Sequence, residues 1–232
     1  MKVAIHQPQF LPWLGYLDKI DRADLFVLLD NVQFKKNEWQ NRNRIRTAQG
    51  WQWVTVPVLH DFGQAIADVR INDKVDWRAK HLKALELHYA RAVHRDRLDG
   101  LRAIYGRPWD RLAELNVEVL RWLLREFGIT TPLRRSSDMR LPEEPTERLI
   151  EICRTVGATS YLAGAGAKDY MDFGKFDAAG IPVEPQEFRH PVYRQCYEPF
   201  VPGLSAIDLF LTCGGESLQS LRSTRTDGRG RD

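Results

Sequence analysis

Apolar and polar positions along this chain alternate between two rhythms. Val3-Ala4-Ile5 is a short apolar run that stops at His6. From Trp13 to Asp24 the period lengthens to that of a helix, with Leu14, Leu17 and Ile20 on one stripe and Asp18, Lys19, Asp21 and Arg22 facing out. Leu25-Phe26-Val27-Leu28-Leu29 is then continuously apolar over the length of a strand and ends in Asp30. Strand, crossover helix and fully apolar strand make a βαβ unit, which predicts a parallel sheet covered on both faces. Trp51 to Val58 alternates as a strand does, and Val69-Arg70-Ile71 fits another.

The middle of the chain reads as helical, over Asp76–Ala92 and more strongly over Asp110–Phe127, with Gly128 just past the end. After Thr130 the α/β rhythm returns: a helix over Glu147–Val156, strands at Ser160–Ala163 and Ile181–Phe188, and a short helix over Ser205–Leu211 with Ser205 as N-cap. The expected architecture is α/β: a Rossmann-like, mostly parallel sheet with helices on both faces. Residues 1–221 are read as a single α/β domain with a helical insertion at about 75–128, and 222–232 as a disordered tail.

Composition narrows the partners. The formal charge is +3, but the segment from Arg222 on, with four arginines and two aspartates, supplies +2 of it. The remaining body is near neutral, which argues against a nucleic-acid-binding protein. No apolar run approaches the ~18 residues of a membrane span. Three widely spaced cysteines (Cys153, Cys196, Cys213) lack metal-ligand spacing and point to a reducing, cytoplasmic setting. His81 and His88 lie seven apart in a helical pattern and read as a solvated face, so no metal site is expected.

Candidate chemistry gathers at strand ends, where open α/β sheets bind ligands. His6 and Asp30 end the first two strands, and Pro8 and Pro12 stiffen the loop that leads through Gln7, Trp13, Gly15 and Tyr16 into the helix. After Asp30 comes a segment rich in cations and amides: Gln33, Lys35, Trp39, Asn41, Arg42 and Arg44 could grip an anion and a polar ring. A basic surface strand is the plainer reading of the same residues. Gly164, Gly166, Lys168 and Tyr170 follow a strand, as a phosphate cradle or a tight turn would. His190, with Tyr193 and Gln195, is a second histidine-proline exit; it is either another wall of the pocket or a buried structural histidine.

The chain resembles the WbqC-like protein family. The likeness lies in KVAIHQPQFLPWLGYLDKIDRADLFVLLDNVQFKKNEWQNRNRI, in WQWVTVPV, in SYLAGAGAKDYMD and in FRHPVYRQCYEPFVPGLSAIDLF, and it extends to about residue 215. It implies a bacterial cytoplasmic protein associated with surface-polysaccharide and amino-sugar genes. The region PWLGYLDKIDRADLFVLLDNVQF is also similar to the signature of pantothenate-synthetase-type nucleotidyltransferases, though Trp13 and Tyr16 stand where that signature has histidines. The expected function is therefore a transferase acting on a nucleotide-linked amino sugar, by acyl transfer from a carrier-protein or coenzyme A thioester. His6 or His190 is the expected base and Asp30 its orienting acid, with Lys35, Arg42 and Arg44 on the diphosphate. Magnesium-dependent nucleotidyl transfer and non-catalytic sugar-nucleotide binding are the alternatives.

Overall fold

The computed structural model describes residues 1–225. The part of the expected disordered tail at 226–232 lies outside the described residues. The part at 222–225 is ordered, because Arg222 and Arg225 pair with Asp21 at 2.6 and 2.7 Å and Arg225 also with Asp18 at 2.7 Å.

Strands β1 (Lys2–His6) and β2 (Leu25–Leu28) flank helix α1 (Leu14–Asp21), as the apolar pattern predicts. Between β2 and the next strand of the main sheet the chain makes a long excursion. It comprises the hairpin β3 (Arg42–Thr47) and β4 (Gly50–Thr55), the short antiparallel pair β5 (Val58–Leu59) and β6 (Arg70–Ile71), and helices α2 (Trp77–His88), α3 (Leu98–Tyr105) and α4 (Leu112–Phe127). The predicted strand at 51–58 is thus broken in two, and the basic segment supplies its hairpin partner. Gly128 closes α4 in the left-handed conformation, which glycine adopts without a Cβ penalty.

Strand β7 (Leu133–Arg135), helix α5 (Pro145–Val156), strand β8 (Ser160–Ala163), helix α6 (Phe173–Ala178) and strand β9 (Val183–Pro185) complete the sheet, followed by α7 (Ile207–Cys213) and α8 (Ser217–Arg222). Strand β9 is much shorter than the run 181–188 predicted for it. Helix α7 begins two residues after Ser205, whose Oγ accepts a 3.4 Å bond from the Ile207 amide while Ala206 takes the cap position.

The main sheet is five-stranded and parallel in the order β7-β2-β1-β8-β9. Numbered by their succession in this sheet, the strands run 3-2-1-4-5, the Rossmann order. Alternate residues face opposite layers. Ala4, Phe26, Leu28 and Leu162 pack on the side of α1, α4 and α7, whereas Val3, Ile5, Leu25, Val27, Tyr161 and Ala163 pack on the side of α5 and α6. Among the described residues no helix is long and apolar enough to cross a membrane, and no group of three or more His, Cys, Asp or Glu side chains could hold a metal ion.

His81 is a core residue, not part of a solvated face. It packs against Phe10, Trp77 and Tyr105, and its Nε2 lies 3.1 Å from the Thr55 carbonyl and its Nδ1 3.3 Å from the Tyr105 hydroxyl. A carbonyl only accepts, so Nε2 carries the proton and Nδ1 is free to accept from Tyr105. Burial lowers the pKa of this imidazole to about 4. The folded value lies below the unfolded one of about 6.5, so the unfolded chain binds the extra proton within that window and stability falls as pH drops through it. Chemical denaturation at pH 7 and at about pH 4.5 should reveal a loss on the order of 2–3 kcal/mol from this group. That component should shrink in His81→Gln, which cannot charge.

Candidate functional site

The site begins where β1 and β8 part. Their pairing runs only over Lys2–Ala4 against Ser160–Leu162. In β1, the Lys2 and His6 carbonyls bond on the β2 side, to the amides of Asp24 and Leu29. Ile5, one residue out of phase, therefore turns its carbonyl toward β8, beyond the last rung. The side chain of Lys19 reaches over from α1 and its Nζ donates to that oxygen at 2.9 Å. A sheet carbonyl that has lost its strand partner must find another, and a lysine supplies it here.

A cavity of about 340 Å³ opens at this parting, between α1 and the turn that follows β8. Trp13, Gly15 and Tyr16 line it from the α1 side, and Gly164, Gly166 and Tyr170 from the other. Gly15 is required by contact: a Cβ there would lie 2.3 Å from the indole of Trp13, which folds back over it. Gln186, just beyond β9, donates to the Gly15 carbonyl at 2.8 Å and to the Asp18 carboxylate at 2.9 Å, tying that wall to α1.

His6 lines this cavity and two others that adjoin it. A larger one of about 540 Å³ lies over the carboxyl ends of β1 and β2, where Gln7, Gln33, Lys35, Arg148 and Tyr170 also face it. A smaller one of about 220 Å³ runs toward the loop before β3, lined by Gln7, Lys35 and Trp39. Gln7 is fixed between them by a 2.7 Å bond from Gln40 to its side chain and by the Tyr16 hydroxyl, which donates to its carbonyl at 3.1 Å. His6 sits edge-on to Tyr16, with ring centroids 5.1 Å apart. Burial, and next the nearby Lys19, lower its pKa to about 4, so the ring is neutral at physiological pH. Burial brings the Lys19 amine down to about 7 and pushes the Tyr16 phenol up.

Several expected site residues lie elsewhere. Asp30 lines none of these cavities. Its carboxylate is 1% exposed and fully engaged by Arg135 at 2.6 Å, the Ser137 amide at 2.9 Å, and the Ser136 and Ser137 hydroxyls at 3.2 and 3.1 Å. It fastens the loop after β7 to the end of β2 and does not orient His6. Asn41 is buried, donating to the Val56 carbonyl at 3.0 Å. Arg42 and Arg44 lie on the outer face of the β3–β4 hairpin. The Arg42 guanidinium stacks 4.0 Å from the Trp53 ring centre, and Arg44 lies within reach of Trp39, Trp51 and Trp53. Trp39 joins this ladder to the cleft, but the two arginines do not enter it. Lys168 is exposed and lines no part of the cleft.

His190 is not a second wall. Its Nδ1 lies 2.8 Å from the Pro191 carbonyl, and its ring is stacked near Tyr193 and edge-on to Phe200 and Phe188. Phe188, which does line the cavity at the parting, separates His190 from it. Tyr193 and Gln195 both donate to the fully buried Asp208 at 2.8 Å, and Gln195 accepts from the buried Arg46 at 3.2 Å. These residues form a structural network under α7.

Lys19, Gln186 and Arg148, with Gln9, Glu38 and Gln40 in the smallest cavity, are among the cleft residues that the sequence pattern does not mark. Lys19 was expected to face out, yet it is 2% exposed and Asp18 1%. Helical spacing carried the missing signal: positions 15, 16 and 19 share one face, and the glycine and tyrosine were already assigned to the site.

Asp30→Ala tests the division between scaffold and cleft. It leaves Arg135 and two serines without their acceptor and is expected to lower the unfolding free energy by about 2–3 kcal/mol. In the folded variant the His6 and Lys19 side-chain NMR resonances should keep their wild-type positions, because the Asp30 carboxylate does not reach the cleft.

Comparison with known proteins gives the family. The model of the WbqC-like protein family matches residues 7–220, from Gln7 in the cleft through α7 and most of α8. The chain is similar to the uncharacterized protein Rv1507c of Mycobacterium tuberculosis, 38% identical over 229 residues, which span 97% of this chain and 99% of that protein. No solved structure matches it. With the family model covering residues 7–220 and the relative spanning 97% of the chain, this chain belongs to the WbqC-like protein family.

Proposed function

We propose that the cleft transfers an acyl group from a thioester donor to the amine of a nucleotide-linked sugar. The observation that carries this reading is that three adjoining cavities share one residue, His6, at the carboxyl ends of a sheet of Rossmann order. Such a junction suits a substrate of several parts with its reacting group in the middle. The setting in surface-polysaccharide and amino-sugar synthesis that the family resemblance implies supports a sugar nucleotide as that substrate.

In this reading Lys35 and Arg148 flank the diphosphate in the larger cavity, replacing the pairing of Lys35 with Arg42 and Arg44 expected from the sequence. Gln7 and Gln33 read hydroxyls, and Trp39 offers a flat face to a base or sugar ring. The sugar amine attacks the thioester carbonyl, so that a C–N bond forms and the C–S bond breaks. His6, neutral at working pH, accepts the proton that the nitrogen loses, and the thiol leaves with a proton returned by solvent or by the imidazolium. Coenzyme A and an acyl carrier protein are the two donor classes to compare. Nucleotidyl transfer is disfavoured by Trp13 and Tyr16: both face the cavity, and neither can carry the positive charge of an imidazolium.

Turnover of donor and acceptor panels, followed by thiol release, tests the reading. His6→Ala should lower kcat by roughly 10²–10⁴-fold, whereas His190→Ala should lower it only as far as it destabilises the fold. Once corrected for the fraction of acceptor present as free amine, the acidic limb of the wild-type kcat/KM profile should lie near the His6 value of about 4, well below that of an ordinary histidine. Release of pyrophosphate from a nucleoside triphosphate would favour nucleotidyl transfer instead. Tight binding with no turnover across the panels would favour a binding protein.

A further inference from the structure

We propose that the arm of the cleft at the β1–β8 parting is a subsite for an oxyanion, a phosphoryl or carboxylate group, which Lys19 binds by taking up a proton. The subsite deepens the transfer reading, but it depends on anion binding alone, whichever group is transferred.

Three observations carry it. First, Lys19 is buried and lines the cavity, and the Ile5 carbonyl at 2.9 Å is the hydrogen-bond partner found for it, leaving N–H capacity directed at the cavity. Second, no acidic side chain lines this arm, and among the described residues none pairs with Lys19. The carboxylate beside it in sequence, Asp18, is turned away toward Arg22, Arg225 and Gln186. Third, the floor is small where the amine arrives. A Cβ on Gly164 would stand 3.6 Å from Nζ, so the glycine brings only backbone to the amine and leaves the space beside it open to the cavity. Nearby, the fully buried Tyr161, whose ring centre lies 5.9 Å from Nζ, turns its hydroxyl to that of Tyr170, which also lines the arm.

A buried cation without a counter-charge is costly, so the empty arm favours the neutral amine. Burial brings this amine to about 7, where either form is accessible. An entering oxyanion supplies the missing charge, and binding and protonation then reinforce each other. The other titratable groups facing the amine are His6 from β1, Tyr16 from its own helix, and Tyr161 and Tyr170 from the β8 side. His6 titrates at about 4 and the three phenols are all pushed up, so between pH 6.5 and 8.5 Lys19 alone changes charge among them. A purely structural lysine, there only to satisfy Ile5, would show no such linkage.

The full chain labelled with ¹³C-lysine gives the test. The Lys19 Cε resonance is assigned by its loss in Lys19→Met, a substitution of similar length that a buried apolar wall accommodates. Sulfate and formate serve as probes because neither changes charge over this pH range. The free protein should titrate near neutrality, and a saturating probe should raise the midpoint by about one unit or more. Affinity for that probe should fall roughly five- to tenfold from pH 6.5 to 8.5. Lys19→Arg should keep binding but lose the pH dependence, and Lys19→Met, folded by circular dichroism, should bind at least about tenfold more weakly. A response to sulfate alone identifies a phosphoryl-type site and a response to formate alone a carboxylate site; either supports the proposal. A midpoint that neither probe moves, or a folded Lys19→Met that binds as the wild type does, overturns it.

Discussion

The parting of β1 and β8 beyond Ala4 and Leu162 is the constraint on which the rest of the structure depends. In a sheet of this order the chain leaves β1 toward one neighbour and returns from β7 to the other side, so the connecting helices α1 and α5 lie on opposite faces. The Ile5 carbonyl exposed at the parting must be satisfied, and the residue that satisfies it, Lys19, is also the one that gives the crevice chemical character. One hydrogen bond thus links the topology of the sheet to the electrostatics of the cavity.

The same edge separates scaffold from cleft. Asp30 and His6 end adjacent strands, but their surroundings divide their roles. The carboxylate meets the arginine that ends β7 and two serines from the turn after it and becomes a fastener; the imidazole meets Tyr16 and open space and stays neutral. Farther out, Arg42 and Arg44 spend their charge on the faces of Trp53, Trp51 and Trp39, stiffening a hairpin whose tryptophans remain partly exposed. The five cations between Lys35 and Arg46 therefore do not act as one anion grip. Lys35 faces the cleft, and Arg46 is sealed beneath Tyr197 and Pro199.

Much of this was legible in the sequence. The apolar runs 3–5 and 25–29, the helical stripe after Trp13 and strand 160–163 are local patterns, and they mark three sheet positions and the crossover between the first two. The histidine exit, Gly15, Tyr16, Gly164 and Tyr170 could be placed near one rim because strand ends in a parallel sheet share an edge. Three kinds of feature were not legible. Short strands such as Leu133–Arg135 carry too few residues to display a period. Whether a charged side chain such as Asp30 faces a cavity or a partner depends on groups more than a hundred residues away. The histidine-proline pair at 190 looked like the pair at 6–8, but β9 ends at Pro185, so the later histidine falls in irregular chain behind Phe188.

The most direct test of this account is a crystal structure of the protein with a nucleoside-diphosphate amino sugar. The account predicts density across the β1–β8 parting, with a ligand atom within hydrogen-bonding distance of His6 and the diphosphate near Lys35 and Arg148. A ligand seated on the outer face of the β3–β4 hairpin, or between α5 and α6, with the parting empty, would contradict it.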